Sequence, residues 1–114
     1  MATINGVNFD VVMKDAMKAA QAVLAEDWPK ARDIVMNISE AIVNDIEFIK
    51  KKQLSGEFNE IDARTYMEED QKMVARIRLR SLAIISMQIA EDIWNAMAKV
   101  FNTAVKTAIG WAIL

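Results

Sequence analysis

From Asn59 to Leu114 the chain holds no proline and a single glycine, Gly110, close to its end. A stretch so free of breakers reads at helical spacing as one helix over about residues 60–110, roughly 75 Å long at 1.5 Å rise per residue. Such a rod does not fit a round domain, because a compact chain of 114 residues should have a radius of gyration of about 13 Å. The expected shape is elongated, or completed by other copies of the chain.

The first half divides more clearly. Met1 to Asn8 reads as an irregular lead-in with a turn signal at Asn5-Gly6, and Asn8 or Asp10 can cap a first helix over about residues 9–26. On that helix Phe9, Met13, Ala16, Met17, Ala20, Val23 and Leu24 share one side. Pro29 has no N–H to give a helix and disfavours the α conformation at Trp28, so the first helix breaks or kinks there. A second helix, about residues 30–54, carries Ala31, Ile34, Val35, Ile38, Ile42, Ile46 and Ile49 on one face. Lys50-Lys51-Lys52 complements the negative end of its dipole, and Ser55-Gly56 stops it. Asn59 to Asp62 is the next cap, with Phe58 as a staple.

A connection this short makes antiparallel neighbours of the second helix and the long rod. With the turn near Gly56, residues whose numbers sum to about 112 face each other. Lys52 then lies beside Glu60, Glu40 beside Lys72, and Asp33 beside Arg78 or Arg80. Exposed pairs of this kind are worth well under about 1 kcal/mol each, so they select register more than they stabilise.

Beyond Leu82 the rod turns apolar. A polar line runs through Gln88, Asp92, Asn95, Lys99, Asn102 and Lys106, in alternating steps of four and three, as one seam of a heptad repeat. Around it lie Ile84, Met87, Ile89, Ile93, Trp94, Met97, Val100, Phe101, Val105, Ile109 and Trp111. One partner helix cannot cover so wide an apolar perimeter. These residues are therefore expected to form an oligomer interface, with Gln88, Glu91 and Asn95 as polar groups buried within it. The methionines, Met67, Met73, Met87 and Met97 among them, are expected to fill irregular gaps in the core.

The chemistry open to the chain is narrow. Without Cys or His there is no thiolate nucleophile, no imidazole base and no zinc spacing, and no Gly-rich phosphate loop occurs. The metal arrangement left open is an all-oxygen site from Asp15, Glu91 and Asp92, two of which belong on water-facing lines, so no cofactor and no enzymatic activity are expected. The alternating arginines Arg76, Arg78 and Arg80 spread around the helix instead of forming a stripe, which together with a net charge of −2 argues against nucleic acid. Lys99 and Lys106 inside the one window long enough to span a bilayer would cost about 5 to 7 kcal/mol at its centre.

The fold class that follows is all-α. It is an elongated antiparallel helical hairpin with a kinked or broken N-terminal arm and one very long C-terminal helix, assembling as a homodimer or homotetramer into a four-helix-type bundle. The function expected is a cytoplasmic interaction or assembly protein that self-associates through its apolar C-terminal half. The alternatives are a membrane-peripheral protein meeting lipid through residues 82–114 and a carrier of an apolar small molecule.

Overall fold

The computed structural model describes residues 3–114, and its first element is set by Asn5-Gly6. Both residues have positive φ, 48° and 81°, the combination of a two-residue type I′ turn. The flanking strands β1 (Thr3–Ile4) and β2 (Val7–Asn8) pair antiparallel, Thr3 opposite Asn8 and Ile4 opposite Val7. From Thr3 to Asn8 the lead-in is thus a small hairpin and not irregular chain, while Met1 and Ala2 lie outside the described residues. The Asn5 side chain fixes it by donating to the Ala108 carbonyl at 2.5 Å while accepting from Lys50 Nζ at 2.6 Å. Asn8 then caps α1 (Phe9–Leu24), its Oδ1 accepting from the Asp10 N–H.

Pro29 breaks the chain instead of kinking it. α1 stops at Leu24, a tight 3₁₀ turn occupies Ala25–Asp27, and α2 (Trp28–Leu54) starts with the proline in its first turn. Reversal requires Ala25 at φ 51°, ψ −120°, a conformation in which a Cβ is crowded and glycine is at ease. Ala25→Gly should therefore raise the denaturation midpoint, by about 0.5 to 1 kcal/mol in a chemical melt, where a glycine elsewhere in a helix destabilises.

Ala31, Val35, Ile38, Ile42, Ile46 and Ile49 form the buried face of α2, and Ser39 satisfies its buried hydroxyl on the Val35 carbonyl at 3.0 Å. Ser55 to Asn59 makes the turn to α3 (Glu60–Tyr66), which opens on a reciprocal capping box between Asn59 and Asp62. Across this turn Tyr66 Oη donates to Asp45 Oδ1 at 3.2 Å, and Phe48 meets both Phe58 and Tyr66 with ring centroids 6.0 and 5.4 Å apart.

α3 continues through a π-helical turn, Met67–Lys72, into α4 (Met73–Arg80), so that residues 60–80 form one shorter rod. The spacing of its buried residues explains the widened turn. Ala63, Met67, Gln71, Ala75 and Leu79 recur at every fourth position, and in an α-helix that row drifts around the surface by about 40° per step. A turn of more than four residues cancels part of the drift, so the row stays against the core.

The continuous rod expected over residues 60–110 is not present. α4 ends at Arg80, Ser81 returns its Oγ to the Arg78 carbonyl at 2.6 Å, and the chain turns through 81–86 before α5 (Met87–Ile109). Ser86 is extended and caps α5 by accepting from the Ile89 N–H. The longest helix is α2, in the first half. The turn lets α5 fold back onto α1, and this pair makes the most extensive helix contact in the protein. Small residues permit close approach on both sides, Ala16 and Ala20 on α1 and Ala90, Ala98 and Ala108 on α5. Gly110, left-handed at φ 80°, ends α5, and Gln53 caps its last carbonyl at 2.8 Å. The result is all-helical apart from the short hairpin. Its radius of gyration of 13.8 Å is near that of a compact chain, and its extents of 42 × 25 × 18 Å keep a long axis, though far short of a rod of about 75 Å.

Candidate interaction surface

The polar line of α5 faces water: Gln88, Asp92, Asn95, Lys99 and Lys106 are exposed and Asn102 half-buried. Opposite it, Ile93, Trp94, Met97, Phe101, Val105 and Ile109 are buried in the core that α5 shares with α1 and α2. These six are therefore not surface available to another copy, because the fold-back supplies from the same chain the neighbours that the apolar perimeter demands. Ile89, Val100 and Trp111 are half-buried against the same core. Of the residues expected at an interface, Ile84 and Met87 alone stay exposed, at 36% and 68%.

Glu91 is the polar node of the fold-back. Gln88 and Asn95, expected beside it in a buried set, lie at the surface, Gln88 donating to Asp92 at 2.9 Å; the polar residues the core does bury are Ser39 and Gln71. Glu91 instead receives two cations from the rod, Lys72 Nζ at 3.3 Å and the Arg76 guanidinium. Lys72 and Arg76 lie one turn apart on the same face, and the carboxylate between them removes their repulsion while tying α4 to α5. Desolvation alone would raise the Glu91 carboxyl, but the hydrogen bonds and charges of Lys72 and Arg76 outweigh it and hold it below its ordinary 4.5. A carboxyl depressed on folding stabilises above its ordinary value and loses that contribution as pH falls through the folded-state value. Glu91→Gln should thus lower stability at pH 7 by about 1 kcal/mol, and melts taken at falling pH should show the gap from wild type closing below pH 4.5.

The other expected ion pairs are rearranged. Glu60 bonds Arg64 at 3.1 Å, Lys52 bonds Glu57 at 2.5 Å, Asp33 lies 3.5 Å from Arg32, and Lys72 is taken by Glu91 and not by Glu40. Partners within a turn or across a loop win because long, solvated side chains lose less freedom in reaching them. Arg78 and Arg80 have no carboxylate within 4.0 Å among the described residues.

Large apolar side chains stay exposed at separate places, Val11 on α1 and Phe48 and Leu54 on α2 among them, and a run of them lies on the outer face of the rod. Offset by two from the buried row, Ile61, Thr65, Glu69, Met73 and Ile77 recur at the same spacing, and all are exposed, Met73 at 55% and Ile77 at 69%. Ile77 stands as a ridge between two clefts. One, of 650 Å³, lies between α4 and the start of α5, lined by Ile77, Met87 and Ala90 with Arg76, Arg80 and Glu91 at its sides. The other, of 640 Å³, separates α4 from α2 at Ile34 and Asn37. Sequence patterning assigned Met73 to the core with the other methionines, whereas Met67 and Met97 are buried and Met73 and Met87 are not. The signal that separates them is the period-four row: Met67 lies on it and Met73 does not.

Elsewhere, burial pushes the Asp45 carboxyl above its ordinary value against the Tyr66 hydrogen bond, and Asp70 adds to the rise. Burial and Asp45 raise the Tyr66 phenol in turn. The pair is satisfied within itself beside the Phe48 and Phe58 rings, an arrangement that stitches α2 to α3. Among the described residues no three carboxylates group as a metal would need, and Asp15 and Asp92 point to water on different helices. Among the same residues no helix is long and apolar enough to cross a membrane. Comparison of the chain with protein-family models, with curated proteins and with solved structures gave no match.

Proposed function

We propose that this protein is a non-enzymatic helical assembly module that self-associates through the exposed apolar residues of its C-terminal half, Met73, Ile77, Ile84 and Met87. The observation carrying this reading is that Ile77, 69% exposed, stands between two clefts, with Met73 exposed one turn before it and Met87 exposed on the far wall of one cleft. The reading keeps the self-association expected from the sequence and moves its seat from the buried face of α5 to α4 and the turn after it. A chain with neither Cys nor His has few groups with which to perform catalysis, whereas an apolar ridge flanked by arginines is what a protein contact requires. Sedimentation velocity at tens of micromolar tests it. The wild type should sediment as a dimer or larger, and Ile77→Glu as a monomer of unchanged helicity, because a charge at the centre of a small contact removes its core. A monomeric wild type, or an Ile77→Glu variant that associates as before, would contradict it.

A further inference from the structure

The outer stripe of the rod has opposite charges at its two ends. Glu69 precedes Met73 by one turn, Met73 precedes Ile77 by one turn, and Arg80 follows Ile77 by three residues, so acid, two apolar residues and cation stand in line. Glu69, Met73 and Arg76 line one surface cleft of 430 Å³, which places the acid on the Met73 side of the helix. Neither Glu69 nor Arg80 has an oppositely charged group within 4.0 Å among the described residues. They cannot serve each other, being about 16 Å apart along one helix.

We propose that the occupant of this face is a second copy of the chain, its α4 antiparallel to the first about a two-fold axis passing between Met73 and Ile77. The proposal rests on the self-association reading above and specifies its register. A two-fold contact presents the same patch from both copies and requires it to be self-complementary. Reversing the stripe brings Met73 against Ile77 of the partner subunit, Ile77 against Met73 of the partner subunit, and Glu69 against Arg80 of the partner subunit at both ends. A parallel arrangement sets Glu69 against its own copy and Arg80 against its own, placing like charges together at both ends. An anionic lipid surface would meet the acids Glu68 and Glu69 on the same rod, and an acidic peptide would satisfy Arg80 at the expense of Glu69. The second copy answers both charges at once.

Charge exchange tests the register in the full-length chain. By sedimentation equilibrium, Glu69→Arg alone and Arg80→Glu alone should each weaken self-association by about tenfold or more, since each sets like charges at both ends of the contact. An equimolar mixture of the two variants should recover dimers, now heterodimers, and the doubly exchanged chain should self-associate as the wild type does. Circular dichroism should show all three equally helical, since both residues are solvent-facing. If the single variants associate like the wild type while Ile77→Glu does not, or if the mixture fails to recover, this register is overturned and the self-association reading stands. If the wild type itself is monomeric, both fall.

Discussion

Removal of residues 87–114 is expected to unfold the protein, not to release a stable monomer from an oligomer. α5 inserts Ile93, Trp94, Met97, Phe101, Val105 and Ile109 into the core. At about 1.5 to 3 kcal/mol for each large apolar side chain, these six contribute roughly 9 to 18 kcal/mol of burial. A domain of this size has a net stability of about 5 to 15 kcal/mol, so the loss matches or exceeds the whole margin. The deletion also uncovers Phe9, Ala16 and Ala20 on α1, whose main neighbour is α5. Circular dichroism of the shortened chain should show low helicity and no cooperative melt. A truncated chain that melts cooperatively at a midpoint near that of the intact protein would show that α1 and α2 find their cover without α5.

Phe101→Ala is the largest single-residue effect expected, about 3 to 5 kcal/mol. Its ring is fully buried, as is Phe9 at the head of α1, and a cavity at this site cannot collapse without moving two helices that approach through alanines. For a domain of about 100 residues such a loss lowers the melting midpoint by 12 °C or more. Met87→Ala, fourteen residues earlier on the same helix but mostly exposed, should stay within about 0.5 kcal/mol of wild type. Calorimetry in the Ile77→Glu background separates an intrachain core from one shared between copies. A core within one chain gives a Phe101→Ala deficit that does not change with protein concentration, whereas a shared core gives one that does.

The parts of this fold that were legible in the sequence were written in local chemistry. Asn5-Gly6 marks a turn, Pro29 marks a break or kink after α1 without deciding between them, Asn59 and Asp62 form a cap, and the apolar faces of α1 and α2 follow simple helical spacing. The polar line from Gln88 to Lys106 was equally plain, and the side opposite it is the buried one. The turn at 81–86 was not legible in the same way. It contains neither glycine nor proline, and its markers are ordinary residues: Arg78 and Arg80 at a helix end, two serines that bond the backbone, and the β-branched pair Ile84-Ile85. None of these forces a break by itself.

The decisive information was distributed along the chain. The apolar perimeter beyond Leu82 did require several neighbours, but whether those neighbours are copies or the chain's own α1 depends on whether a turn after Arg80 can return α5 to it. Glu91 between Lys72 and Arg76 ties the returned α5 to α4, while Ala25 in a strained conformation makes the separate reversal from α1 to α2. The exposed stripe was hidden for a related reason. An unbroken α-helix carries every fourth residue around its surface, and the π-helical turn at Met67–Lys72 brings Glu69 nearer to the line of Met73 and Ile77.

Trp94 reports most directly on whether one chain covers its own C-terminal helix. It is 4% exposed against the core, and Trp28→Phe with Trp111→Phe leaves it as the sole indole. Acrylamide quenching of that variant, carrying Ile77→Glu and diluted from micromolar to nanomolar concentration, should find Trp94 equally protected throughout, with blue-shifted emission. Quenching that rises on dilution, with emission moving to the red, would mean that other copies supply the cover and that α5 is not the core of a single chain.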